Sequence, residues 1–196
     1  MTNKFRFFSM SIFEGNNFEC FSRAVEEIYR NDLRKFKVFI NELRIKDYFN
    51  PPSGGAHLPK FCFWKSNKYP NTIFFTSNYQ DGLSSLCNVI HMQIKGNLIS
   101  FSMSNEHNMT CPAYHFHYSD SVFKERDILA YKEDKWVFCS HGVPLPIENT
   151  EYYKNRLIKK RLNNDIIEEY LIKLNIDLWD IDKNVEKCVT YEQQVW

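Results

Sequence analysis

The sequence predicts an α+β fold: one domain of 196 residues, with a mostly antiparallel sheet flanked by N-terminal and C-terminal helices. Three observations point there. Apolar residues at helical spacing gather near the two ends. The middle consists of short runs rich in Phe, Tyr, Val and Ile, separated by turn-forming residues at hairpin distances. No linker, repeat or low-complexity tract divides the chain, so residues 1–196 are read as a single domain.

The elements follow in order. FRFFSMSIF (5–13) reads as a first strand, bounded by Glu14-Gly15. Phe18, Phe21, Val25, Ile28 and Tyr29 recur every three or four residues, the stripe of a helix. Asn31-Asp32 reads as the cap of a second helix, with Leu33, Phe36, Phe39, Ile40 and Leu43 as its apolar face. NPPSGG (50–55) breaks the chain. KFCFWK (60–65) and TIFFTSN (72–78) are strands. QDGLSSLCNVIHMQI (80–94) stays open between a short helix on Leu83, Leu86, Val89 and Ile90 and a strand from Val89 to Ile94. NLISFSMS (97–104) and AYHFHYS (113–119) alternate as strands do. RDILAY (126–131) and KWVFCSH (135–141) flank Lys132-Glu133-Asp134-Lys135 and read as a hairpin.

The C-terminal third reads as helical. Asn149 or Thr150 caps a helix from 151 to about 162. Asp165 with Glu168 resembles a capping box. Ile166, Ile167, Tyr170, Leu171 and Leu174 form a helical stripe that stops at Asn175.

Composition narrows the function classes. Apolar residues make up 43% and charged residues 25%, which is neither a disordered nor a membrane composition. The 25 basic and 24 acidic residues leave a net charge of +1. The overall field is weak, and nucleic acid is not expected as a partner. Cys20, Cys62, Cys87, Cys111, Cys139 and Cys188 are scattered without a CxxC pair. Reduced, mostly buried thiols in a cytoplasmic protein are the expectation. No signal peptide or membrane span is read from the sequence. Asn108-Met109-Thr110 fits a glycosylation sequon, a triplet common by chance.

The sharpest chemical pattern is CPAYHFHYSD. On a strand, His115 and His117 share one face, and Cys139 and His141 share a face in the same way on the later hairpin. An HxH strand beside a CxH strand is able to build a tetrahedral zinc site, and Cys139 with a His is able to form a nucleophile and its base. Neither has the tight spacing or flanking signature that such sites carry. No catalytic residue, metal or cofactor is therefore assigned, and the chain is not expected to be an enzyme. Lys154, Arg156, Lys159, Lys160 and Arg161 are spread round their helix and read first as a solvated face. Glycine-rich phosphate loops, HExxH and GxSxG are absent.

Three segments, DGLSSLCNVI (81–90), KWVFCSHGVPLPIENTEYYKNRLIKKRL (135–162) and IIEEYLIKLNIDLWD (166–180), add a resemblance. Trp136, Phe138, Gly142, Leu145, Pro146, Glu148, Tyr153, Arg156 and Arg161 make the pattern of an aromatic strand, Gly-x-x-Leu-Pro-x-Glu, then Tyr-x-x-Arg and basic residues. This resembles small bacterial immunity proteins of contact-dependent growth inhibition and related polymorphic toxin systems. The resemblance covers about a third of the chain. It implies a cytoplasmic protein that binds a cognate toxin domain and neutralises it by stoichiometric inhibition. The neutral net charge departs from the acidic character of many inhibitors of nucleic-acid-cleaving toxins. The loops SNYQDG and SHGVPLPIE nominate Tyr79, Asp81, His141 and Glu148 as partner-binding residues. Two alternatives stand beside this reading: a Cys/His enzyme, with or without zinc, and a nucleic-acid-binding module using helix 151–162.

Overall fold

Strands β1 (Phe7–Glu14), β3 (Lys60–Ser66) and β4 (Thr72–Ser77) are buried almost continuously, whereas β6 (Ala113–Ser119) and β7 (Glu125–Lys132) alternate. That contrast dictates the architecture, because continuous runs need cover on both sheet faces and alternating ones need it on one. The computed structural model, which describes residues 5–15, 17–107 and 109–196, has this arrangement. The sequon residue Asn108 and the first four residues of the amino-terminal stretch lie outside the described residues.

With β2 (Phe36–Ile40), β5 (Asn97–Ser104), β8 (Trp136–His141) and β9 (Val185–Gln193), these strands form one nine-stranded sheet. Its order is β2-β9-β3-β4-β1-β5-β6-β7-β8. Every neighbouring pair is antiparallel. Helices α1 (Phe18–Ile28) and α2 (Ser84–Ile94) lie on one face, and α3 (Asn164–Lys173) lies on the other.

Helix α1 begins because the Asn17 side chain accepts from the backbone N–H groups of Glu19 and Cys20, at 2.8 and 3.3 Å. Its apolar stripe puts Phe21 between Phe13 and Phe63, with ring centroids 4.8 and 4.9 Å away. Truncating so enclosed an aromatic to Ala costs about 3–5 kcal/mol. The opposite face carries the larger core. Trp64 is fully buried there and donates its indole N–H to Ile181 O at 2.7 Å.

Four sequence expectations are revised. The helix over 33–43 is a short 3-10 turn, Leu33–Lys35, followed by edge strand β2. Its partner β9 is about 150 residues away, and pairing with it overrides the local helical spacing. The C-terminal third is not wholly helical. Strand β9 inserts between β2 and β3, and its charged residues mask the alternation of Cys188 and Thr190 with Val189 and Tyr191. The helix over 151–162 is two short 3-10 turns, Thr150–Lys154 and Ile158–Lys160, between which Asn155 and Leu157 are extended. Tertiary ties hold that segment open: Tyr152 to Glu169, Tyr153 to Glu148, and Arg161 Nε to Asn155 O. Finally, α3 is capped by Asn163, which accepts from Ile166 N at 3.0 Å, not by an Asp165–Glu168 box. Segment 84–94 adopts the helical reading, and Asn175 stops α3 with φ +61°. Among the described residues no helix is long and apolar enough to cross a membrane.

Candidate functional site

Helices α1 and α2 cover only part of their sheet face. Beyond α2, the same face of β6, β7 and β8 carries mostly half-buried or exposed residues, and β5 adds half-buried Ser100, while the opposite face of those strands is mostly sealed. The result is a concave groove of about 510 Å³ between α2 and the uncovered strands.

Register builds the groove floor and the sheet face that continues it onto β7 and β8. Ser11, Ser100, His117, Asp127 and His141 form one cross-strand row over β1, β5, β6, β7 and β8. Ser9, Ser102, His115, Leu129 and Cys139 form the next. All ten side chains belong to the same face, since residues two apart on a strand share a side. Ser11 and Ser100 hydroxyls meet at 2.8 Å, and Ser9 Oγ donates to Tyr79 O at 3.3 Å. The α2 wall starts at Asp81, whose carboxylate accepts from Leu83 N and Ser84 Oγ. Gly82 turns this corner with φ +68°, where a Cβ would stand 3.3 Å from Ser9 Oγ.

One charged cluster sits at the outer edge of the floor, where His115 and His117 line the groove and Asp127 lies just beyond it. His115 Nε2 lies 2.6 Å from Asp127 Oδ1, and His117 Nδ1 lies 3.4 Å from the same oxygen. Hydrogen bonds from His115 and then His117 hold the Asp127 carboxyl far below the usual carboxylate range, against the opposing effect of burial. The three side chains are 34%, 18% and 41% exposed, so solutes reach them.

The structure therefore corrects the HxH-plus-CxH arrangement. Strand β7 separates β6 from β8, and Cys139 faces Leu129 while His141 faces Asp127. Asp127 is the functional candidate that sequence reasoning missed. The available signal was a carboxylate at an alternating position of RDILAY, in phase with neither Ile128 nor Ala130.

The nominated partner-binding residues divide. Asp81 is exposed on the groove rim, and His141 is exposed at the end of the second floor strand out from β6. Tyr79 is half-buried: its ring stacks on His57 at 4.2 Å, and its hydroxyl donates to His57 O at 2.6 Å. The Glu148 side chain is fully buried, held in a bidentate ion pair with Arg126 on the other side of the sheet, so its carboxylate is not presented to a partner. Burial alone would raise its pKa. Hydrogen bonds from Arg126, Leu145 N and Tyr153 outweigh that and hold it below the ordinary value. The residues of the aromatic–Gly–Leu-Pro-Glu–Tyr pattern are largely structural. Trp136, Phe138, Leu145 and Tyr153 pack on the covered face, and the Arg161 guanidinium lies 5.5 Å from the Phe138 ring centroid.

No protein-family model, curated protein or solved structure matches this chain.

Proposed function

We propose that this chain is a toxin-immunity protein that binds the toxin domain encoded beside its own gene and neutralises it one-to-one in the cytoplasm. The observation that carries the reading is the open sheet face that runs from the groove beside α2 across β6, β7 and β8. A concave floor on paired strands is rigid, and rigidity lowers the ordering cost of binding. Ser100, Ser102 and His115 offer hydrogen-bonding groups there, and Leu129 offers apolar contact. This suits a protruding loop of a folded partner. A standard interface buries about 1,600 Å² in total, so contact would extend from the groove toward Asp81 at one rim and His141 at the other.

The resemblance in residues 135–162 supports the same reading from another side. Its pattern residues largely stabilise the covered face, and the groove residues lie outside the pattern. Six free cysteines, among them Cys62 and Cys188 with sulfurs 3.3 Å apart and no disulfide between them, agree with a reducing compartment.

Co-expression with the neighbouring toxin domain tests the proposal. Wild-type chain should restore growth and co-purify with the toxin in equal amounts. Rescue without a physical complex would point to turnover and overturn it.

A further inference from the structure

We infer that His115, His117 and Asp127 form a binding site for a divalent first-row transition ion, with zinc as its simplest occupant. This goes beyond toxin binding and does not rest on it. It also departs from the sequence expectation of no metal, because the third ligand is Asp127 and not Cys139.

Geometry makes the argument. Strand alternation brings both imidazoles to one face, and the β6–β7 register sets Asp127 directly opposite His117. One donor atom from each residue falls within a mutual span of 4.8 Å. Ligands of a tetrahedral zinc, with bonds of about 2.0–2.1 Å, stand about 3.3 Å apart. The His117–Asp127 separation of 3.4 Å already matches that spacing, and the 2.6 Å His115–Asp127 contact needs to open by well under 1 Å. The remaining His115–His117 edge lies within the 4.8 Å span, and none of the three side chains is fully enclosed. Among the described residues, no other group of His, Cys, Asp and Glu meets this criterion.

The chemistry of the donors agrees. Two imidazoles and a carboxylate suit zinc and its first-row neighbours better than magnesium or calcium, which prefer all-oxygen sets. Asp127 now satisfies itself on the two rings, and an ion would replace that hydrogen-bonded cluster with direct bonds. Three protein ligands leave at least one coordination position. It would be filled from the groove, by water or by a donor atom of whatever occupies it. Ser102 and Ser100 are the cross-strand neighbours of His115 and His117, so hydroxyls stand beside the ligands.

The experiment is titration of Zn²⁺ and Co²⁺ into full-length protein purified without a metal-affinity tag and stripped with chelator. Calorimetry should give one Zn²⁺ per chain. The His115→Ala/His117→Ala double variant and Asp127→Asn should each weaken binding by more than about 100-fold, beyond the usual effect of removing a supporting group. Cys139→Ser and Cys111→Ser should bind as the wild type does. The Co²⁺ complex should show weak visible bands without the near-ultraviolet charge transfer of a thiolate ligand. Zinc should raise the wild-type melting temperature and leave that of the double variant unmoved, which also confirms that the variant folds. No uptake by the wild type, uptake persisting in the double variant, or loss of uptake on either cysteine change would overturn the assignment. A negative result here leaves toxin co-purification unaffected, so the two readings fail separately.

Discussion

Arg126 and Glu148 exchange two hydrogen bonds inside the protein, Nε to Oε1 at 2.8 Å and Nη2 to Oε2 at 2.7 Å, with side chains 2% and 0% exposed. Arg126 Nη1 also donates to Ser140 Oγ and His141 O, both at 2.8 Å. Glu148 accepts further from Leu145 N and the Tyr153 hydroxyl, which in turn accepts from Tyr170. The pair thus pins β7, the end of β8, the proline-bearing connection after it and α3 together. Its value lies in being complete, because removing one member leaves a buried charge unpaired.

Glu148→Gln should therefore destabilise the protein by about 3–5 kcal/mol in urea unfolding. The folded-state pKa of Glu148 lies below its ordinary 4.5, so its contribution is full above about pH 4.5 and fades as pH falls through the folded value. The gap between wild type and variant should narrow in acid. A gap that is small at pH 7, or that widens on acidification, would contradict this role.

Gly142 ends β8 with φ +84°, and a Cβ there would stand 2.2 Å from Glu125 O. Gly142→Ala should destabilise by more than about 1 kcal/mol, because the backbone of β7 has to move and the conformation is strained for any L side chain. Thermal unfolding measures it, and an unchanged midpoint would refute the close approach.

Cys20, Cys111 and Cys139 are exposed, whereas Cys62, Cys87 and Cys188 are buried. Burial pushes the Cys87 thiol up to about 12. A thiol reagent should label three groups quickly in the native protein and all six after denaturation. Four or more paired cysteines in freshly purified protein would refute the proposed cytoplasmic location.

Lys159 and Lys160 are exposed, and Lys159 pairs with Glu106 at 3.5 Å. Lys159→Glu with Lys160→Glu should change stability by less than about 1 kcal/mol. The wild type should bind DNA and RNA only weakly. Affinity near 10⁻⁸ M at physiological salt, the rough range of specific sites, abolished by the double change would restore the nucleic-acid reading.

What the sequence made legible follows from the range of the interactions involved. The central strands declared themselves because alternation in AYHFHYS and NLISFSMS is a local property. Helix α1 did so because its stripe and its Phe18–Tyr29 spacing are local too. β2 and β9 were missed because each is a strand chiefly through its distant partners, and the 151–162 turns because tyrosine and arginine ties outweigh helical periodicity. The candidate site shows the same divide. The shared face of His115 and His117 is legible on one strand, whereas Asp127 joins them only through the β6–β7 register. Glu148 looked like loop material because nothing near it in sequence announces Arg126.

The central claim is that the partner seats on the open sheet face that runs from the groove beside α2 across β6, β7 and β8, and affinity measured on groove variants tests it most directly. Leu129→Arg on the floor and Asn88→Arg on the α2 wall change side chains that border open space, so both variants should fold. Calorimetric titration with the purified toxin domain should show each variant losing at least about tenfold in affinity, a 1.4 kcal/mol effect. The Lys159→Glu/Lys160→Glu protein should bind as the wild type does. Full affinity in both groove variants would contradict the account, because the partner would then be seated elsewhere on the molecule.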